Sequence, residues 1–148
     1  MVVLAVDYGD TRTGLAKCDR ENILASPLCV ITERNSEKLL ERIKTEAQSI
    51  GAELIVVGNP LNMDGSSGER SKRCKDIAEK LTFITGLETV LWDERQSTVS
   101  AAYYLNQTNV RGKKRKGVID AVAAVIILES YLSYCRNAKR GDVNANQE

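Results

Sequence analysis

The chain has 148 residues, 43% of them hydrophobic and 28% charged. That balance suits one globular domain that folds without disulfides or a structural metal, and it excludes wholesale disorder. With 21 Lys and Arg against 20 Asp and Glu, the net charge is +1; any nucleic-acid partner must be recognised by local clusters. There is no histidine, which removes Ser-His-Asp and Cys-His nucleophiles, imidazole bases and most catalytic zinc sites. Cys18, Cys29, Cys74 and Cys135 show no C-x-x-C spacing and are expected to be free thiols in a reducing compartment. Met1 to Val6 is too short and lacks the basic start of a secretory signal. The apolar run Ala121 to Leu128, bounded by Asp120 and Glu129, is too short to span a bilayer. The expectation is a cytosolic protein with no membrane partner.

Val2 to Val6 reads as a buried strand ending at Asp7. Tyr8 to Thr13 is a turn, Gly14 to Cys18 a second strand, and Ile23 to Ile31 a third that Pro27 confines to an edge or bend. Their closeness in sequence favours antiparallel pairing. Asn35 or Ser36 caps a helix carrying Leu39, Leu40, Ile43, Ala47 and Ile50, stopped by Gly51. Glu53 to Val57 is a short apolar strand of the kind found in a sheet covered on both faces. A turn-rich loop over Gly58 to Gly68 leads to a helix marked by Cys74, Ile77, Ala78 and Leu81, with capping expected at Ser66 or Ser67 and a stop near Gly86. Thr89 to Trp92 is a strand ending at Asp93-Glu94. A helix capped at Ser97 or Thr98 follows, then a basic loop from Gln107 to Lys116, then a central helix from Val118 to Tyr134. Residues 1–135 form the domain; 136–148 read as a polar, disordered tail.

Three carboxylates stand out. Asp7 ends the first strand, Glu94 follows the fifth, and Asp120 lies in the first turn of an apolar helix. Ligand sites in open α/β sheets lie beyond the carboxyl ends of parallel strands, so Asp7 and Glu94 can meet there. Gathering carboxylates is unfavourable unless a cation offsets their repulsion. Mg²⁺ or Mn²⁺, as one or two ions, suits such oxygen donors and can supply the nucleophile for phosphodiester hydrolysis without histidine. The plainer alternative is that Asp7 and Glu94 cap turns and Asp120 stabilises its helix terminus. Asp7-Tyr8-Gly9 through Gly14 resembles a phosphate-binding hairpin, with Arg12 available to an anion; it fits an actin-like ATPase as readily as a nuclease. Arg111, Lys113, Lys114, Arg115 and Lys116 would bring cations beside Asp120 for a nucleic-acid backbone. Arg70, Lys72, Arg73 and Lys75 read as a solvated helix face, and Tyr103 and Tyr104 as packing residues.

With these segments in order, the chain resembles the YqgF (RuvX) family, bacterial proteins described as Holliday-junction-resolvase-like and as nucleases maturing the 5′ end of 16S rRNA. The resemblance covers about residues 2–133. It rests on Val6-Asp7-Tyr8-Gly9 with Arg12 and Gly14, on Val57-Gly58 with Pro60 to Gly65, on Asp93-Glu94-Arg95 with Ser97-Thr98, and on Lys116 through Asp120 to Leu128. It implies a ribonuclease-H-like α/β fold with a five-stranded mixed sheet of order 3-2-1-4-5 flanked by helices, and Asp7, Glu94 and Asp120 as the acidic active-site residues. Asn59 stands where the family more often has an apolar residue.

The leading expectation is a Mg²⁺- or Mn²⁺-dependent endonuclease acting on structured RNA, precursor 16S rRNA of the 30S particle above all. Asp7, Glu94 and Asp120 hold the metal, and Arg12, Arg95 and the basic segment position the backbone. The chain acts as a monomer or homodimer. The alternatives are a resolvase of branched DNA, which needs two active sites for symmetric nicking, and a non-catalytic RNA-binding assembly factor. An actin-like ATPase is disfavoured because the chain has no room for a second lobe to close over a nucleotide.

Overall fold

In a computed structural model the protein is described over residues 1–19, 25–62, 64–94 and 112–147, with side chains in the last stretch described for 121–138. The elements are β1 (Val3–Asp7), β2 (Arg12–Cys18), β3 (Ala25–Thr32), α1 (Ser36–Ile50), β4 (Leu54–Asn59), α2 (Glu69–Thr85), β5 (Glu88–Asp93) and α3 (Gly112–Gln147). They build a five-stranded sheet of order β3-β2-β1-β4-β5. The first three strands form an antiparallel meander. β4 lies parallel to β1 on one side and to β5 on the other, because each of these connections passes through intervening chain long enough to carry a helix.

The strands alternate their side chains between two cores. Leu4, Val6, Leu15, Ile55 and Val57 face α1 and α2, where Leu39, Ile43, Cys74, Ile77 and Leu81 meet them. Val3, Ala5, Ala16, Leu54 and Val56 face α3 and pack on Ala124, Val125, Leu128 and Leu132. Small residues on this second face (Ala5, Ala16 and Ala124, all fully buried) let the helix lie close to the sheet. Pro27 is exposed on the edge strand, and the β2–β3 register shifts between Leu15 and Ala16; the edge tolerates a residue without an N–H. No helix among the described residues is long and apolar enough to cross a membrane.

The helix ends follow local chemistry. The Asn35 side chain accepts from the Lys38 N–H, and Gly51 and Gly86 close α1 and α2 in the left-handed region that favours glycine. Three expectations need correction. The cap of α2 is Gly68 without a side-chain hydrogen bond, because Ser66 is engaged by Asp64 through both its N–H and its hydroxyl. The expected loop over 107–116 gives way to helix from Gly112, so Lys113, Lys114, Arg115 and Lys116 stand on helical backbone; Lys and Arg are good helix formers and carry the helix up to Gly117. Helical backbone also continues from Arg136 to Gln147, where a polar tail was expected. The helix expected from Ser97 or Thr98 lies outside the described residues, as do Tyr103 and Tyr104.

Candidate active site

Alternation along the strands decides where the carboxylates go. Asp7 continues the Val3, Ala5 series and therefore faces α3, and Glu94, just past the end of β5, lines a cleft with residues of α3. β4 runs between their two strands. Its α3-facing series is Leu54, Val56, Gly58, and Gly58 lies opposite Trp92 of β5. A glycine at that place leaves open the space that the Glu94 carboxylate and Ile127 occupy. A Cβ added there would stand 2.5 Å from Ile127 Cδ1 and 2.6 Å from Glu94 Oε1. The result is a cleft of about 350 Å³ lined by Asp7, Pro60, Arg70, Glu94, Ala123, Ile126 and Ile127.

The cleft has an apolar wall and a charged floor. Ile126 and Ile127 from α3 form much of the wall. Burial pushes the Glu94 carboxyl above its ordinary value and Asp93 adds to the rise, while Arg70 opposes both. Cys74 lies beneath the same charges. Burial first, then Glu94, pushes its thiol up to about 11, with Asp7 contributing and Arg70 again opposing. At neutral pH this cysteine is a protonated core residue, not a nucleophile. Arg70 is held in place by donating from Nη2 to the Tyr8 carbonyl at 3.1 Å. One turn further along α2, Arg73 pairs with Asp10 at 2.7 Å. Both contacts tie α2 to the β1–β2 turn, which is itself tight: a side chain at Gly9 would collide with the Arg12 carbonyl.

The loop after β4 is anchored by a buried polar pair. Ser71, fully buried, donates its hydroxyl to Asn59 Oδ1 at 2.5 Å. The pairing leaves the amide oxygen of buried Asn59 satisfied.

Of the residues chosen from sequence, Asp7 and Glu94 line the same cleft. Arg12 begins β2, half-buried, and does not line the cleft. Asp120, Lys113, Lys114, Arg115 and Lys116 are on the helical backbone of α3, their side chains outside the described set; Arg95 and Arg111 lie outside the described residues altogether. Among the described residues no three His, Cys, Asp or Glu side chains gather as a metal cluster. In sequence, Arg70 reads as part of a solvated helix face and Gly58 as a loop residue, yet Arg70 lines the cleft and Gly58 packs against Glu94. A signal existed for Gly58: it breaks an apolar series at the carboxyl end of a strand, where a bulky residue would close the site.

The family model for RuvX, described as Holliday junction resolvase, matches residues 1–134. The chain belongs to the RuvX family. A relative from Halothermothrix orenii is 43% identical over 134 residues, covering 90% of this chain and 96% of the relative, and bears the name "Putative pre-16S rRNA nuclease". One of the same name from Carboxydothermus hydrogenoformans is 40% identical, covering 90% and 97%. Among solved structures, Thermus thermophilus RuvC in complex with a Holliday junction substrate superposes with a TM-score of 0.60 at 15% identity, covering 90% of this chain and 96% of that one. The fowlpox virus Holliday junction resolvase superposes with a TM-score of 0.54 at 10% identity, covering 90% and 99%. This RuvX chain therefore has the ribonuclease-H-like fold of the resolvases, with the expected strand order.

Proposed function

We propose that this RuvX protein is a cytoplasmic endonuclease that hydrolyses phosphodiester bonds of structured nucleic acid, with precursor 16S rRNA as its substrate and Mg²⁺ or Mn²⁺ as its cofactor. The observation that carries the reading is that Asp7 and Glu94 line one cleft that also presents Arg70, with Glu94 packed over Gly58. The donor set fits such an ion. Both side chains offer hard oxygen ligands, and the ionised form of Glu94 is short of compensation in its buried place, which a divalent cation would supply. Asp7 and Glu94 would hold it. Asp120 is the third candidate: it stands three residues before Ala123 and seven before Ile127 on the same helix, and both of those line the cleft. When bound, the ion supplies a Lewis acid and an acidified water for phosphoryl displacement.

The chain's own groups do the rest. Arg70 reaches the non-bridging oxygens of the scissile phosphate and offsets the charge that develops there. Gly58 keeps the floor open for that phosphate. Ala123, Ile126 and Ile127 exclude water from one side, which strengthens every charge interaction within. Arg12, Arg95, Arg111, Lys113, Lys114, Arg115 and Lys116 would hold the flanking backbone, a contribution expected to weaken with salt. The pre-16S rRNA assignment is supported by the names of relatives at 40–43% identity. The test is incubation of the purified protein with precursor 16S rRNA and Mg²⁺ or Mn²⁺. Cleavage that chelator and Asp7→Asn both abolish is expected; salt-dependent binding without cleavage, indifferent to both, would instead make the protein an assembly factor. A resolvase reading is favoured by the description of the family model, and paired symmetric cuts in a four-way DNA junction by the same preparation would decide for it.

A further inference from the structure

The α3 face that lines the cleft continues into a second feature. Two residues before Glu94, Trp92 turns its indole to the same side of the sheet and donates from Nε1 to Ser130 Oγ at 3.1 Å. Tyr131 meets the indole edge-on, with centroids 5.6 Å apart and planes at 81°. Tyr134 leans on it at 5.2 Å and 55°. Trp92 and Tyr131 pack against the α3-side core, whereas Tyr134 remains 59% exposed. The indole is thus clamped by a hydrogen bond and a ring contact, and the indole in turn holds a tyrosine ring against solvent. The placement is continuous with the cleft. Tyr134 is seven residues along α3 from Ile127, about 10 Å, and Trp92 is two residues along β5 from Glu94, about 6.5 Å. A strand whose phosphate lies over Gly58 would bring a neighbouring nucleotide to the aromatic group.

We propose that Trp92, Tyr131 and Tyr134 form a stacking platform for an unpaired nucleobase next to the scissile phosphate, so that the enzyme selects a single-stranded segment rather than uninterrupted duplex. The inference rests on the nucleic-acid reading of the cleft. Stacking is tolerant of base identity because every base has a π face, and a rigid, pre-placed ring loses little conformational freedom on contact. Duplex bases are already stacked on one another and have no face to offer.

The chain has one tryptophan, so its fluorescence reports the platform directly. The full chain is titrated, in EDTA and again with Mg²⁺, with an eight-nucleotide oligoadenylate, an abasic oligomer of the same length and charge, and a blunt RNA duplex. Oligoadenylate is expected to change the Trp92 emission and to bind more tightly than the other two. Tyr134→Ala is expected to weaken it about five- to thirtyfold; Tyr134→Phe, which keeps the ring, retains it. Phe83→Ala, remote on α2 and 89% exposed, is expected to have no effect. Circular dichroism of Tyr134→Ala confirms that the variant is folded. Equal binding of abasic and adenylate oligomers, or unchanged affinity in folded Tyr134→Ala, would overturn the platform. So would a loss confined to self-association, which would make the patch a dimer contact. Cleavage of precursor rRNA without a Trp92 response removes the platform and leaves the nuclease; a response without cleavage of any nucleic acid does the reverse.

Discussion

Gly58→Ala is the most revealing small change this protein offers. One methyl group would stand 2.5 Å from Ile127 Cδ1 and 2.6 Å from Glu94 Oε1, about an ångström inside ordinary contact for carbon. Ile127 is nearly fully buried in the α3 core, so its tip yields only by repacking, whereas the Glu94 carboxylate, at the end of a flexible side chain lining the cleft, yields by swinging aside. Overpacking of this kind costs about 1–3 kcal/mol, which at roughly 3 °C per kcal/mol in a domain of this size lowers Tm by about 3–9 °C. Function suffers separately, because a carboxylate displaced by about 1 Å costs on the order of 100-fold in turnover. The two effects can be uncoupled. Ile127→Val removes the Cδ1 atom that the new methyl meets first. In the Gly58→Ala/Ile127→Val double variant, Tm is expected to exceed the sum of the single effects. Cleavage remains depressed, since the contact with Glu94 persists. Thermal melting by circular dichroism and initial rates on precursor rRNA measure both. Wild-type activity in Gly58→Ala would refute the claim that the bare backbone here makes room for the reaction. Strict additivity of the melting temperatures would refute the steric argument.

Glu94→Gln tests the electrostatics with a definite sign. Burial raises the Glu94 carboxyl, so the native state binds its proton more tightly than the unfolded chain does. Native stability therefore falls as pH rises from the ordinary glutamate value through the raised one. In metal-free buffer the glutamine variant is expected to melt higher than wild type above that window while losing cleavage; a lower Tm there would contradict the assignment. Arg70→Ala removes the group that opposes the rise. The acidic limb of the cleavage profile should move to higher pH and turnover should fall about 10²-fold or more; an unmoved limb would separate Arg70 from Glu94. Ser71→Ala strands the buried Asn59 oxygen and should cost about 1–3 kcal/mol, much of it recovered in Asn59→Leu/Ser71→Ala, where both polar partners are gone. Denaturant unfolding would expose the error if the double variant were the less stable.

Much of this architecture is legible in the residues. Runs such as Val2 to Val6 and Leu54 to Val57 are too apolar and β-branched to be anything but buried strands, and Asn35, Gly51 and Gly86 mark helix ends by chemistry that acts locally. The misses arise where local signals are ambiguous. Gly58 and Asn59 have the composition of a loop, yet both pair with β5, because ladder hydrogen bonds belong to the backbone and need no particular side chain. The basic run at 113–116 looks like a solvated loop next to Gly112 and Gly117, yet lysine and arginine are good helix formers and the backbone coils through them. Arg70 could not be separated from Lys72, Arg73 and Lys75 by charge alone. Only the docking of α2 beside β1, with its bond to the Tyr8 carbonyl, singles it out. The strand-end rule puts Asp7 and Glu94 at one edge of the sheet, where both line the cleft; the glycine packed against Glu94 is harder to see, because its surroundings have the composition of a loop.

The proposed chemistry requires that Asp7 and Glu94 together hold a catalytic divalent ion. An anomalous-difference map from a Mn²⁺-soaked crystal would locate that ion. One or two peaks are expected in the cleft within about 2.2 Å of carboxylate oxygens from both residues, absent in Asp7→Asn. A wild-type crystal of protein that cuts precursor rRNA, with manganese bound elsewhere or touching neither carboxylate, would contradict it.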